Sequence, residues 1–417
     1  MDTKYIRIIN DEWSFRSANT KEYTHCYHTY PAMMIPQVAR RLIEEYRPLD
    51  GVLDTLLDPY AGSGTSLVET SIVGVNSIGT DLNPLARFMS KVKTTHYDEE
   101  VIKSDFKKIQ ENLNQYSEDR VKDKNFERIS NYTFWYTEDS LLRLSYISQI
   151  IDDCSESVRD FFLLCLSESV REVSFTRNGE FKRFKMSEKS LEKFNPDVFG
   201  LFCSKVSRNL QGLAEYNLRK HDVKIGIYDF NSTNGIPEDI VAPGSVDMVV
   251  TSPPYGDSHT TVAYGQFSRW ANEWFGFEHA KDLDRHLMGG GKCSEQLFTT
   301  ECLSKVLDEI RVKDEKRYWE VISFLNDYYL SMQHVASVIR SGGVVCYVVG
   351  NRNVKSVQIP LDYFTAETFE KFGFEHEVTI VREIPNKRMP SKTSPTNVPG
   401  DKVDTMSNEY IVILRKV

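Results

Sequence analysis

Four consecutive residues, Ser252-Pro253-Pro254-Tyr255, follow the apolar run 246–250 and offer a hydroxyl, backbone carbonyls and one aromatic ring. A strand over that run must end at the prolines, because each proline lacks an N–H donor and has a fixed φ. In an open α/β sheet the carboxyl end of a strand is where ligands bind. These groups could hold a planar base by its exocyclic amino group. A plain turn after a buried strand would carry the same tetrapeptide.

A glycine-containing loop nearer the N-terminus is the second candidate. It consists of Asp58, Pro59, Tyr60, Ala61, Gly62, Ser63, Gly64 and Thr65. Glycines let the backbone turn sharply and approach a ligand, and a helix that starts here presents free N–H groups. The loop lacks the Gly-Lys-Ser/Thr ending of a Walker loop and has only Gly-x-Gly of the dinucleotide fingerprint. By itself it predicts either a cofactor loop or a tight strand–helix turn.

Two further strand ends indicate which cofactor such a loop would serve. The next predicted strand ends at Asp81, where a carboxylate can accept both hydroxyls of a ribose. The strand after it ends at Asp229 and Phe230, which offer an acceptor for an adenine amino group and a ring to pack on the base. This arrangement describes a nucleoside site without a pyrophosphate clamp. S-adenosylmethionine fits it better than NAD or ATP.

The elements that must position these residues predict one α/β domain. Strand patterns occur at residues 52–58, 76–81, 222–228, 246–251, 344–349, 377–382 and 409–415. Helical patterns occur between them, at residues 66–73, 318–339 and 361–372. Alternating strands and helices favour a doubly wound, seven-stranded, mostly parallel Rossmann-like sheet.

Residues 99–221 interrupt this sheet pattern, because they lack strand signals and carry apolar residues at helical spacing. We expect a catalytic domain built from residues 1–98 and 222–417, with a large helical insertion between the two parts. A smaller polar insertion is predicted at about residues 256–316.

The two motifs together resemble the amino-group methyltransferases that act on DNA. In that family an Asp-Pro-Phe/Tyr-x-Gly-x-Gly loop binds S-adenosylmethionine, and a Ser/Asn/Asp-Pro-Pro-Tyr/Phe strand end binds the target amino group. The segment 30–36 resembles the part that packs beside the methionine end of the cofactor. The resemblance implies these cofactor contacts: Tyr30, Pro31, Asp58, Tyr60, Ala61, Gly62, Ser63, Gly64, Thr65, Asp81, Leu82, Asn83, Asp229 and Phe230. It implies that Ser252, Pro253, Pro254 and Tyr255 are catalytic.

The resemblance also implies a reaction and its partners. Serine at the first motif position resembles the enzymes that methylate cytosine N4, whereas Asp or Asn is usual in adenine-N6 enzymes. The expected substrate is double-stranded DNA with the target base swung out, because the amino group cannot be reached inside the duplex. Residues 99–221 would recognise the DNA, and a cognate restriction endonuclease is a possible partner. An adenine-N6 enzyme, an RNA guanine-N2 methyltransferase, a protein-glutamine methyltransferase and a non-catalytic DNA-binding subunit stay open as alternatives.

Composition bears on the partner and the compartment. The net charge of −9 opposes a nucleic-acid partner, but residues 171–224 hold 12 Lys and Arg against 7 Asp and Glu. The candidate DNA contacts are Arg171, Arg177, Lys182, Arg183, Lys185, Lys387 and Arg388. Seven cysteines without a C-x-x-C pair, no apolar run long enough for a membrane helix and no signal peptide favour the cytoplasm. No metal-ligand spacing is apparent, and the sequence predicts no oligomeric state.

Overall fold

The structure is a computed structural model that describes residues 4–255, 258–384, 392–393, 403–404 and 407–417. At residues 258–263, 392–393 and 403–404 only the backbone is described. The strands are β1 Arg7–Ile9, β2 Thr55–Asp58, β3 Asn76–Thr80, β4 Ile225–Tyr228, β5 Val246–Thr251, β6 Ile339–Val349, β7 Asn353–Val354, β8 Val357–Gln358, β9 Phe374–Glu383, β10 Lys392–Thr393, β11 Val403–Asp404 and β12 Asn408–Lys416.

Thirteen α-helices accompany them in the described part of the chain. They are α1 Pro36–Glu45, α2 Thr65–Val73, α3 Pro84–Thr94, α4 Glu99–Leu113, α5 Tyr132–Trp135, α6 Glu138–Asp152, α7 Glu156–Glu172, α8 Glu188–Leu191, α9 Val198–Asn217, α10 Ser258–Phe275, α11 Ser304–Lys313, α12 Glu315–Val338 and α13 Leu361–Lys371.

The main sheet has eight strands in the order β1-β9-β12-β6-β5-β2-β3-β4. All neighbours are parallel except β12, which is antiparallel to both β6 and β9. The chain runs outward from β2 through β3 to β4 and then returns to β5 on the other side of β2. The strand order therefore reverses between β2 and β5, and ligands of open α/β sheets bind at such a reversal.

The predicted mostly parallel α/β fold is confirmed, with two corrections. The sequence predicted seven strands, and the sheet has eight. The additional strand is β1, an exposed three-residue edge strand whose residues show no alternation of buried and exposed positions. The helix before β6 was predicted to continue to residue 339 and stop at the glycines. Instead α12 ends at Val338, and the strand begins at Ile339 and passes through both glycines.

Side chains of successive strand residues enter two different cores, one on each face of the sheet. Leu57, Val249 and Val345 pack against the helices α12 and α13. Their chain neighbours Leu56, Met248 and Val344 pack on the opposite face beside α1. Burial on both faces explains why β5 is apolar at nearly every position rather than alternating.

Helices α4 to α9 fill residues 99–217, where the sequence predicted helices. Their core is continuous with side chains of α3 and α10, including Met89, Trp270 and Trp274. The helical region thus shares one apolar interior with segments on both sides of it in the chain. Its role in recognising DNA stays a prediction. Among the described helices, none combines the length and apolar character that crossing a bilayer needs.

Candidate active site

A pocket with about 930 Å³ of empty space, including its open mouth, lies at the carboxyl ends of β2 and β5. Many of the residues predicted from the sequence line it. These are Tyr30, Pro31, Asp58, Tyr60, Ala61, Gly62, Ser63, Thr65, Asp81, Leu82, Phe230, Ser252 and Pro254. The structure thus brings the glycine loop and the proline motif, about 190 residues apart in the chain, onto one pocket.

The glycine loop is held in place by contacts within its own neighbourhood. Gly62 and Gly64 have φ values of 51° and 77°, in the left-handed region that favours glycine. A Cβ on Gly64 would lie 2.7 Å from Ser90 Oγ, so no larger residue fits there without movement. The Ser90 hydroxyl donates to the Gly62 carbonyl at 3.0 Å, and the buried Lys93 amine donates to the Ser63 carbonyl at 2.9 Å.

Asp58 joins the two motifs at the base of the pocket. Its carboxylate accepts the hydroxyl of Thr251, at the end of β5, at 2.5 Å. It also accepts the Tyr60 N–H at 3.1 Å and the hydroxyl of Ser66. Burial raises the pKa of Asp58 to about 6, and these hydrogen bonds oppose the rise. This carboxylate therefore fixes the end of β2 against the end of β5.

Asp81 lines the pocket, whereas Asn83 does not. One oxygen of the Asp81 carboxylate accepts the Gly62 N–H at 2.9 Å, and the other accepts the Asn83 N–H at 2.8 Å. Each carboxylate oxygen keeps a further lone pair for a ligand, and burial raises the pKa of this acid. The Asn83 side chain is fully buried, caps α3, and donates to Tyr30 Oη at 3.0 Å and to Ser268 Oγ at 2.6 Å. Asn83 thus supports the pocket wall from behind, and its predicted cofactor contact stays a prediction.

Asp229 is exposed and is not among the residues that line the pocket, so its predicted contact with the adenine amino group stays a prediction. Phe230, Asn231, Ser232 and Thr233 form that wall instead.

The proline motif presents Ser252 and Pro254 to the pocket, while Pro253 and Tyr255 are not among its lining residues. Tyr255 Oη donates to Glu409 Oε1 at 3.1 Å and lies 3.0 Å from Ser252 Oγ. Because the single phenolic proton points to Glu409, the Ser252 hydroxyl donates to Tyr255 and keeps its lone pairs as acceptors. Glu409 is ion-paired in turn with Arg382, which is almost fully buried. The chain's last strand therefore sets the orientation of Ser252.

An aromatic wall closes one side of the pocket. Tyr30 lies 5.9 Å from Tyr264 and 6.1 Å from Phe267, measured between ring centroids. The segment that carries Tyr30 is anchored by the buried Glu168, which accepts the Thr29 N–H at 3.0 Å. Burial disfavours the charge on Glu168, but nearby cations, including its ion-pair partners Lys205 and Arg208, outweigh it and hold its pKa at about 2.

The predicted DNA contacts fall into two groups. Arg171 is buried and donates to the carbonyls of Phe267 and Glu180, and burial lowers its pKa to about 10. Arg183 lies half-buried over the ring of Trp270, at 4.7 Å. Arg171 therefore acts as a structural cation in this structure, and the predicted DNA contact of the half-buried Arg183 stays a prediction.

The other predicted cations differ in accessibility. Arg177 is exposed and pairs with Glu180 at 3.3 Å. Lys182 and Lys185 are partly exposed. Lys387 and Arg388 lie outside the described residues.

Several wall residues were missed by the sequence reasoning. They are Asn231, Ser232, Thr233, Tyr264, Leu287 and Met288. Ala32, Met33 and Met34, which belong to the segment 30–36 singled out from the sequence, line the pocket as well. Tyr264, Leu287 and Met288 come from the insertion after the proline motif, and no sequence pattern marks them.

A small group of possible metal ligands was also missed. His279, Asp282 and His286 bring one ligand atom each within 4.8 Å of one another on the turn before Leu287. Asp282 lies 3.5 Å from His279 Nδ1 and 3.3 Å from His286 Nε2. These contacts among the three side chains explain why their ligand atoms lie close together.

Comparison with known proteins identifies the family. No protein-family model matches the chain. The chain is 38% identical over 436 residues to the type II methyltransferase M.MvaI of Kocuria varians, covering 99% of this chain and 95% of that protein. It is 23% identical to the type II methyltransferase M.BsoBI of Geobacillus stearothermophilus, covering 90% of this chain and 84% of that one. A solved rRNA methyltransferase, aviRa from Streptomyces viridochromogenes, is 9% identical with a TM-score of 0.33, covering 93% of this chain and 88% of that one. The extent of the first match shows that this chain belongs to the type II methyltransferase family.

Proposed function

We propose that this site-specific DNA methyltransferase moves a methyl group to the exocyclic N4 of a cytosine swung out of double-stranded DNA. The observation that carries the proposal is the position of Ser252, which lines the same pocket as the glycine loop. Serine at this position resembles the cytosine-N4 enzymes. We further propose that the protein acts in a restriction-modification system beside a cognate endonuclease.

The cofactor is S-adenosylmethionine, the methyl donor of methyltransferases such as this family. The pocket suits it, because the lining includes two carboxylates, Asp58 and Asp81, and no lysine or arginine among the described lining residues. Two carboxylates without a cation beside them disfavour a nucleotide phosphate, whereas they suit a cationic nucleoside. We assign the ribose hydroxyls to Asp81 and the adenine ring to the side of Phe230.

The chain's own residues then act by orientation and hydrogen bonding. The target nitrogen is a weak nucleophile, because its lone pair is delocalised into the base. When bound, the cofactor supplies an electrophilic methyl group. Ser252 Oγ accepts a hydrogen bond from the amino group and stabilises the positive charge that develops on the nitrogen. The Pro253 carbonyl is proposed as the second acceptor, and most of the rate acceleration comes from positioning.

Mass spectrometry of nucleosides tests the base assignment. Duplex DNA is incubated with the protein and S-adenosylmethionine, digested, and searched for N4-methylcytosine and N6-methyladenine. We expect N4-methylcytosine alone. N6-methyladenine alone would overturn the cytosine assignment and support the adenine alternative, and methylation of RNA but not DNA would overturn the substrate class. Sequencing the methylated positions then gives the recognition site.

A further inference from the structure

A short hairpin at residues 175–186 projects from the helical region beside the pocket. Its two arms are joined by an antiparallel bridge between Thr176 and Lys185. The N–H of Arg177 donates to the Phe184 carbonyl, and the N–H of Met186 donates to the Phe175 carbonyl, both at 2.8 Å. We call residues 175–186 the hairpin.

The tip of the hairpin carries exposed apolar rings, and the hairpin as a whole has an excess of positive charge. Phe181 is 42% exposed and Phe184 is 46% exposed. The hairpin contains four cationic residues and one acid, Glu180, which gives a charge of +3 on a chain of −9. Exposed rings among cations are costly on a surface in water, but they suit contact with stacked bases and phosphates.

The hairpin is fixed in position rather than loosely attached. The buried Arg171 donates to the carbonyls of Glu180, at 2.6 Å, and Phe181, at 3.3 Å. The Arg183 N–H donates to the Gln266 side chain of α10 at 3.1 Å. Trp270, also on α10, donates from its indole to Thr176 Oγ1 at 3.0 Å. These contacts explain the burial of Arg171, which anchors the tip instead of meeting DNA itself.

The same helix connects the hairpin to the pocket. Phe181 lies 6.3 Å from Phe267 of α10, and Phe267 lies 6.1 Å from the pocket residue Tyr30. Tyr264, one turn before Phe267 on α10, lines the pocket. The exposed Phe181 therefore packs on Phe267, and Phe267 packs on Tyr30 in the wall of the pocket. This pocket would receive a flipped base.

We infer that the hairpin enters DNA at the target base, and that Phe181 occupies the space that the base leaves in the stack. Lys182 holds a neighbouring phosphate. This inference rests on the proposed DNA substrate and names the element that extracts the base. Flipping requires unstacking, and the free energy that this costs is smallest when the base is already mismatched.

The test compares Phe181→Ala with the wild type on two duplexes, one with the target base paired and one with it mismatched. Both contain the recognition site found by sequencing. In single-turnover methyl transfer we expect Phe181→Ala to be slower by about 10- to 100-fold on the paired duplex and within about 3-fold of the wild type on the mismatched one. Phe181→Trp, which keeps a large ring, should restore most of the rate on paired DNA.

Control variants show whether a lost rate comes from the hairpin's role or from misfolding, and the wild type shows whether the proposed function itself holds. Leu297→Ala removes a side chain of similar exposure, 49%, from another surface and should leave both rates unchanged. Lys182→Gln should weaken binding to all duplexes and reduce the dependence of log affinity on log salt by about 1. Equal losses for Phe181→Ala on paired and mismatched DNA, or no loss on either, would overturn the hairpin's role. A wild-type protein that methylates no duplex would instead overturn the proposed function.

Discussion

The two loops that meet at the pocket are stabilised in different ways. The backbone of the glycine loop takes most of its hydrogen bonds from residues 58–93, through Ser66, Asp81, Ser90 and Lys93. The Tyr60 hydroxyl also donates to Ser331 of α12. The proline motif is oriented by Glu409, which is 154 positions from Tyr255, and through it by Arg382. The proposed methyl-donor side of the site is thus built mostly from nearby residues, whereas the methyl-acceptor side depends on the chain's last strands.

A buried hydrogen bond joins the two sides at the base of the pocket. Thr251 donates to Asp58 at 2.5 Å and links the strand ends that carry the loops. We therefore expect changes in the proline motif to affect methyl transfer without affecting cofactor affinity. Changes in the glycine loop should lower cofactor affinity first.

Replacement of Ser252 should give the largest effect on the acceptor side. Ser252→Ala removes the acceptor for the target amino group, so kcat should fall by about 10²- to 10³-fold. The dissociation constant for S-adenosylmethionine, measured by calorimetry, should stay near the wild-type value. Ser245→Ala, at the opposite end of β5, is the matched control and should change neither quantity. Near wild-type methyl transfer by Ser252→Ala would refute the assignment.

Gly64→Ala tests the donor side. The substituted residue must hold a φ of 77° and accept a Cβ 2.7 Å from Ser90 Oγ, so the loop must shift. We expect cofactor affinity to fall by about tenfold or more, since a left-handed non-glycine residue alone costs roughly 1–2 kcal/mol. Gly244→Ala is the control, because its φ is 64° but no atom lies within 4 Å of the added Cβ. If both variants bind the cofactor normally, the loop is not the cofactor site.

Tyr255→Phe measures how much β12, which carries Glu409, contributes to methyl transfer at the proline motif. The change keeps the ring and removes the hydroxyl between Ser252 and Glu409. Ser252 then loses about one hydrogen bond that orients it, so kcat should fall by up to about tenfold. The same change made in Ser252→Ala should have almost no further effect, because Tyr255 acts through Ser252. Additive losses in the double variant would contradict this coupling, and kinetics on all four proteins decide between the two results.

Lys93→Met should give the smallest effect, visible as a pH dependence of stability. Burial lowers the pKa of Lys93 to about 7, from 10.5 for the exposed group. Between these values the unfolded chain binds the proton and the folded chain does not, so the free energy of unfolding rises with pH from about 7 to about 10.5. Lys93→Met should lose this part of the slope in urea unfolding at several pH values. The exposed Lys91→Met should keep it, and identical slopes in all three proteins would refute the burial argument.

The difference between the two loops also explains what the sequence could predict. β5 and the glycine loop were predictable because their signals are local: a run of apolar residues, two prolines, and glycines at a strand end. The burial of Asn83 and the exposure of Asp229 were not predictable, because adjacency to a motif does not tell which way a side chain points. The inward contacts of Arg171 and Arg183 were not predictable either, because composition gives charge but not burial.

The sequence by itself determined the α/β class, the order of the two motifs and the chemical groups that each motif offers. Those features depend on backbone periodicity and on residue type, which are local properties of the chain. Only the tertiary structure decided that Glu409 orients Ser252, that Tyr264 and Met288 complete the pocket, and that Arg171 anchors the hairpin. These contacts join residues far apart in the chain, because packing against the sheet and α10, rather than sequence spacing, determines which side chains meet.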